Sequence, residues 1–327
     1  MTTNTQYTGG GTAAGPAGSG SLTILVTGAT GRTGSRVARA AGAAGLTVRA
    51  ASRSGSGSGS GSSSGSGSGF GSGSGFGFGG VRFDWHDPAT WDAALRGADA
   101  AYLAYSPDVG APGAAEAVGA LARRAAELGV RHLVLLSARG EPQADATERA
   151  LAASGVRRWT VVRSAWFAQN FSEGPLVDGL RAGQLVFPAG EVLEPFVDAR
   201  DVADVVVAVV TAGERYAGQV LEVSGDRLLT FRDAVAEIAA ASGRELTYVP
   251  VEPRAYGTAL RGFGVPEAEV EFLIDLFETN LDGRNAYVSD GVRQTLGRPP
   301  RSFTAYAQET ARTTSWTPSP TLDSPAG

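Results

Sequence analysis

Short apolar blocks alternate along this chain with longer segments in which apolar residues recur every three or four positions, the signatures of buried strands and amphipathic helices. Residues 22–26 form the first block, and 32–44 read as the helix that follows. Blocks at 46–51 and 81–83 are the second and third strands. The alternation then predicts strands at 100–104, 132–136 and 159–163, with helices at 113–128 and 147–154. Strand and helix taking turns imply a parallel sheet covered on both faces and wound right-handedly, with ligands outside the carboxyl ends of its strands. Beyond 171 the pattern loosens into helices at 201–212, 231–241 and 266–280 and a strand at 219–223. The expected fold is α/β, a Rossmann-like doubly wound parallel sheet over 21–171. A small C-terminal α+β lobe over 172–312 would share some of the sheet and close over the site.

Residues 54–80 interrupt this order. They comprise 13 glycines, 11 serines and three phenylalanines, a composition that cannot offset its ordering entropy by burial, so a flexible excursion at the sheet edge is expected. Residues 1–20, without the basic and apolar regions of a signal peptide, read as a disordered lead-in. The Ser-, Thr- and Pro-rich residues 313–327 read as a disordered tail.

Composition narrows the chemistry. A formal charge of -5 without basic clusters gives no electrostatic footprint for nucleic acid or an anionic membrane. No uninterrupted apolar stretch reaches about 18 residues, so a cytoplasmic protein with a small-molecule partner, monomer or homodimer, is expected. The chain has no cysteine and two histidines, which removes thiolate chemistry and His-rich metal sites. All 28 basic residues are arginine. Ordinary short-chain reductases protonate their product with a Tyr acidified by a Lys four residues later, and that dyad cannot exist here. An acceptor that takes hydride without it is expected: an iminium, a quinone, a flavin or an activated alkene, with binding and orientation supplying most of the catalysis.

The candidate site residues follow the strands. Thr27-Gly28-Ala29-Thr30-Gly31-Arg32-Thr33-Gly34 follows the first. Gly28 suits the tight turn, Gly31 the approach of backbone amides to a pyrophosphate, and Gly34 close packing of the helix. After the second strand stands Ser52-Arg53 rather than the acidic residue that binds a ribose 2′-OH, so NADP(H) is expected over NAD(H), with Arg53 and Arg32 on the 2′-phosphate. Asp84 and Trp85 are placed at the adenine, with core as the other reading of Trp85. Tyr105 and Ser106 follow the fourth strand and Ser137-Ala138 the fifth, bordering the nicotinamide half, and Arg163, which closes the sixth, is a further cofactor-binding candidate. Trp166, Phe167, Asn170 and Phe171 form an aromatic loop that reads as a substrate wall or as core. His132 opens a buried strand and reads as structural, and His86 lies towards the adenine.

These motifs resemble the NmrA-like atypical short-chain dehydrogenases, especially bacterial relatives of the ergot alkaloid reductases of the festuclavine and agroclavine dehydrogenase types. The resemblance runs from about Leu22 to Ala311. It rests on Ile24 to Gly31, Phe83-Asp84-Trp85-His86-Asp87-Pro88, Leu135-Leu136-Ser137-Ala138, Trp166 to Phe171, Pro195 to Ala203 and Gly297 to Phe303. It implies an NAD(P)H-binding Rossmann domain without the Tyr-Lys dyad, and reduction of a cyclic iminium. Gly28, Thr30, Gly31, Arg32, Thr33 and Gly34 would hold the pyrophosphate, Arg53 the 2′-phosphate, and Trp166, Asn170, Phe171 and Phe196 would face the substrate. Ser164, where relatives commonly carry proline, and the insertion beside Arg53 depart from the pattern. The rival readings are a redox-sensing regulator that binds NAD(P) without turnover, and an isomerase or epimerase on the same fold.

Overall fold

The central apolar blocks become strands because both faces of the sheet are covered, so most residues of the central strands are buried, while the two edge strands stay largely exposed. The computed structural model describes residues 21–55, 78–313 and 315–317. Its first half runs β1 (Thr23–Val26), α1 (Gly34–Ala43), β2 (Thr47–Ser52), β3 (Gly79–Arg82), α2 (Trp91–Leu95), β4 (Ala100–Leu103), α3 (Ala114–Glu127), β5 (His132–Ala138), α4 (Asp145–Ala152) and β6 (Arg158–Ser164). Successive residues of β1 serve opposite faces. Ile24 and Val26 join Val37 of α1 in one core, and Leu25 joins Leu95 of α2, Leu121 of α3 and Leu151 of α4 in the other.

The second half comprises α5 (Asn170–Glu173), α6 (Val177–Arg181), β7 (Gln184–Phe187), β8 (Leu193–Glu194), α7 (Ala199–Thr211), β9 (Gln219–Val223), β10 (Leu229–Thr230), α8 (Phe231–Ser242), β11 (Thr247–Pro250), α9 (Pro253–Gly262), α10 (Glu267–Asn280), α11 (Gly291–Leu296) and α12 (Phe303–Ala311). β9 returns to pair in parallel with β6, giving a seven-stranded sheet of order β3-β2-β1-β4-β5-β6-β9. The valines of α7 complete the core on the α1 face. The strand order reverses between β1 and β4, where the connections leaving their carboxyl ends run to opposite sides, towards β2 and β5, and a crevice opens. A third, aromatic core fills the lobe: Phe171, Phe187, Phe196, Phe231, Phe277 and Phe303, largely edge to face.

Two segments read as flexible are partly ordered. Gly79 and Gly80 pair with Arg49 and Ala50, so β3 starts inside the Gly/Ser segment; ladder hydrogen bonds need only backbone, which composition does not report. Phe78 packs against the core beside Gly42 of α1. In the tail, Trp316 is buried and its indole donates to the Phe171 carbonyl at 2.7 Å. The remaining readings on 1–20, 56–77, 314 and 318–327 lie outside the described residues. No helix among the described residues is long and apolar enough to cross a membrane.

Candidate functional site

The site is built at the point where the strand order reverses. Thr27 Oγ1 donates to the Tyr102 carbonyl at 3.1 Å and accepts from the Ala104 amide at 2.9 Å, pinning β1 to β4. Gly28, at φ +60°, turns the chain back. A Cβ on Gly34 would lie 2.2 Å from the Gly28 carbonyl oxygen, so α1 starts in contact with the turn. Among the described residues nothing accepts from the amides of Thr30, Arg32, Thr33 and Gly34. Free amides at the positive end of α1 suit a pyrophosphate, although the Thr33 side chain itself is buried. Arg53 stands exposed beyond β2, and Asp84 Oδ1 accepts from the His86 amide at 3.0 Å at the rim after β3. These groups fit a dinucleotide.

Arg32, expected with Arg53 on a 2′-phosphate, is engaged by the aromatic loop. Its guanidinium crosses to the loop after β6, donating to Asn170 Oδ1 at 2.6 Å and to the Glu173 carbonyl at 3.3 Å, while Arg36 pairs with the Glu173 carboxylate. Gln169 holds that loop: its amide nitrogen donates to Asp198 Oδ1 at 2.9 Å and its oxygen accepts from the Ala199 amide at 2.8 Å at the start of α7. Backbone bonds between Ala168 and Val197 and between Val197 and Trp166 complete the clamp. Trp166, Phe167 and Asn170 line a cavity of about 300 Å³, together with Arg32, Tyr105 and Ser137.

Several residues predicted for this site lie elsewhere. Trp85 is a core residue, its indole donating to the Ala104 carbonyl at 3.0 Å and its ring against Phe83 and Tyr105. Arg163 turns away to Glu148 and Asp145 of α4, at 2.6 and 3.2 Å, and the Ser137 hydroxyl donates to the same Glu148 at 2.5 Å. A buried carboxylate needs such partners, and Arg163 is spent on it. Phe171 and Phe196 are fully enclosed in the aromatic core and off the cavity wall, and Trp166 packs one side of its ring on that core, against Phe187, Phe231 and Phe277, while it also lines the cavity. Ser106 is exposed and off the cavity wall, whereas its neighbours Tyr105 and Pro107 line it. His132 is buried, bonded to Thr160 Oγ1 at 3.0 Å and pushed down to about 4 by burial, as a structural histidine should be.

The cavity also holds charged groups that were not singled out. Arg139 and Glu141 follow β5 by one and three residues and both are buried. One Arg139 nitrogen donates to the carbonyls of Asn285 and Tyr287, and its guanidinium lies 4.2 Å over the Tyr287 ring, while Nε and Nη1 have no partner among the described residues. Glu141 meets Asp108 from the loop after β4; burial first, and then that second carboxyl, hold it well above the ordinary carboxyl range. Behind Arg139, the fully buried Glu194 of β8 has no hydrogen-bond partner for either oxygen among the described residues. Burial pushes it up to about 7 against the pull of Arg139. Position was the available signal, since the ends of strands are where ligands sit.

The pattern that defines the NmrA-like family matches residues 20–297. The chain belongs to that family. It is 34% identical over 237 residues, 69% of this chain and 80% of the other, to a (4-alkanoyl-5-oxo-2,5-dihydrofuran-3-yl)methyl phosphate reductase of Streptomyces griseus. It is 30% identical over 250 residues, 71% and 84% of the two chains, to festuclavine dehydrogenase of Aspergillus fumigatus. Among solved structures, an NADPH-dependent quinone oxidoreductase of Escherichia coli complexed with NADPH superposes with a TM-score of 0.68 at 20% identity, covering 88% of this chain and 99% of that one. This NmrA-like chain is thus an oxidoreductase of the atypical short-chain type, with relatives named as NAD(P)H reductases.

Proposed function

We propose that this NmrA-like protein is an NADPH-dependent reductase that passes hydride to a small conjugated organic acceptor, quinone-like or a cyclic iminium. The observation that carries the reading is the cavity beside the glycine turn, walled by Trp166 and Phe167 and reached by Arg32 from the turn itself. A cofactor whose phosphates lie on the free amides of Thr30, Arg32, Thr33 and Gly34 would extend towards that cavity along the carboxyl edge of β4 and β5. When bound, the reduced nicotinamide supplies the hydride. The protein supplies flat walls that orient a planar acceptor and guanidinia that stabilise negative charge developing on it. Arg53, exposed and without a partner among the described residues, supports NADP(H) over NAD(H). The relatives' names agree in chemistry, since an oxo-dihydrofuran and a quinone are both conjugated carbonyl compounds.

The test is loss of reduced-nicotinamide absorbance with a panel of quinones, unsaturated lactones and cyclic imines, beside fluorescence titration of NADPH and NADH. Turnover with one class establishes the reductase and its acceptor. Tight NADPH binding with no oxidation across the panel refutes it and points to a cofactor-sensing regulator.

A further inference from the structure

Hydride alone reduces a carbonyl-type acceptor to an anion, and a proton must follow. Without lysine in the chain, the usual acidified tyrosine is absent. Tyr105 lines the cavity, but burial, and then Glu116, push its phenol above the ordinary value. The Ser137 hydroxyl is committed to Glu148. The remaining cavity groups that can carry an acidic proton are Glu141 and Asp108.

Their geometry is specific. Asp108 Oδ1 accepts from the Gly110 amide at 2.7 Å, which fixes the loop after β4. Glu141 seats against Gly110, where a Cβ would lie 2.0 Å from Oε1, so only glycine admits the carboxyl there. Glu141 is 4% exposed, and Oε1 has no hydrogen-bond partner among the described residues. Two carboxyls in contact with one of them buried cannot both ionise at neutral pH, so the pair retains one proton. The other charged groups lining the cavity are the Arg32 and Arg139 guanidinia, and α10 adds only the uncharged Leu276 and Asn280.

We propose that the Glu141–Asp108 pair is the proton donor of the reduction, a role that rests on the reductase reading above. The acceptor gains hydride at carbon, its π electrons move to oxygen, and a new O–H bond forms as the Glu141 O–H bond breaks. The reduced nicotinamide is the species oxidised. Water then returns a proton to the pair through the half-exposed Asp108. Two guanidinia beside a neutral acid favour a neutral acceptor that becomes anionic over a cationic iminium.

Three measurements test this. In the cofactor-free protein at about pH 8, infrared spectra should show the C=O band of a protonated carboxyl that E141Q lacks. With menadione and 2(5H)-furanone as acceptors, E141Q should lose about a hundredfold or more in kcat/KM while NADPH affinity holds. Wild-type kcat/KM should fall as alkaline pH strips the proton from the pair, and D108N should move that fall to lower pH. Absence of the infrared band, a flat wild-type profile, or E141Q turning over like wild type while Y105F does not, overturns the assignment. If wild type oxidises NADPH with neither acceptor nor any of the wider panel, the reductase reading fails and the donor role fails with it, whatever the infrared band shows.

Discussion

Gly34→Ala isolates the contact on which the glycine turn depends. The added methyl would lie 2.2 Å from the Gly28 carbonyl oxygen, 2.6 Å from its carbon and 3.0 Å from the Thr27 carbonyl oxygen. All three are backbone atoms, so no rotamer change relieves the overlap; either α1 or the turn must shift. Overpacking of this kind costs about 1–3 kcal/mol, and the Ala-over-Gly helix preference returns at most about 1 kcal/mol, less at a first helical position. A net loss of about 2 kcal/mol is expected, with NADPH affinity falling at least about tenfold, the equivalent of 1.4 kcal/mol, as the free amides move. Gly42→Ala, on the same helix, is the control. Its methyl would meet only the rim of the Phe78 ring, at 2.9 Å, which can swing aside, so stability should stay within about 0.5 kcal/mol. Urea unfolding and fluorescence titration of NADPH read both variants. G34A unfolding at the wild-type midpoint with wild-type affinity, or G42A as damaged as G34A, refutes the reasoning.

Three further outcomes are expected. R53E should weaken NADPH binding by about tenfold or more and leave NADH binding nearly unchanged, measured by titration of each cofactor. R163M should cost about 3 kcal/mol in chemical denaturation by stranding the buried Glu148 carboxylate, without the selective loss of NADPH affinity expected of a cofactor ligand. Burial raises the Glu194 pKa to about 7 in the folded protein, so the folded state holds this proton more tightly than the unfolded chain. That contribution, about 3 kcal/mol or slightly more, is complete below about pH 4.5 and is lost as pH rises through about 7. E194Q should remove this slope from a stability-versus-pH curve; an unchanged slope assigns it to other groups.

The sheet was legible because a parallel sheet buried on both faces demands continuous apolar runs, and β1, β4, β5 and β6 provide them within two residues of their ends. The start of β3 was not, since Gly79 and Gly80 contribute only backbone to the ladder. The Gly28 turn and the close approach at Gly34 could be read from spacing, as both are local backbone requirements. The direction of a side chain from a loop could not. Trp166 and Phe171 sit in one aromatic run, yet Phe171 is wholly enclosed in the core while Trp166 spans core and cavity wall, a difference set by the bonds of Gln169 and Ala168 to the segment that starts α7. Strand position alone puts Arg163 with the cofactor ligands, and it does not show that α4 supplies Glu148. Arg139 and Glu141 could not be singled out, because their burial depends on contacts with Asn285 and Gly110, far from β5 or outside its own loop.

One guanidinium belongs to both walls of the site. Arg32 is anchored through the backbone of the glycine turn and ends on Asn170 and Glu173 of the aromatic loop. With Arg36, which pairs with the Glu173 carboxylate, it ties the turn and α1 to that loop, and linkage makes any coupling mutual: an acceptor that tightens the loop's hold raises nucleotide affinity by the factor by which the nucleotide raises its own. The two binding steps of this protein are expected to be cooperative, and cutting both ties with R32A and R36A together should leave two sites that fill independently.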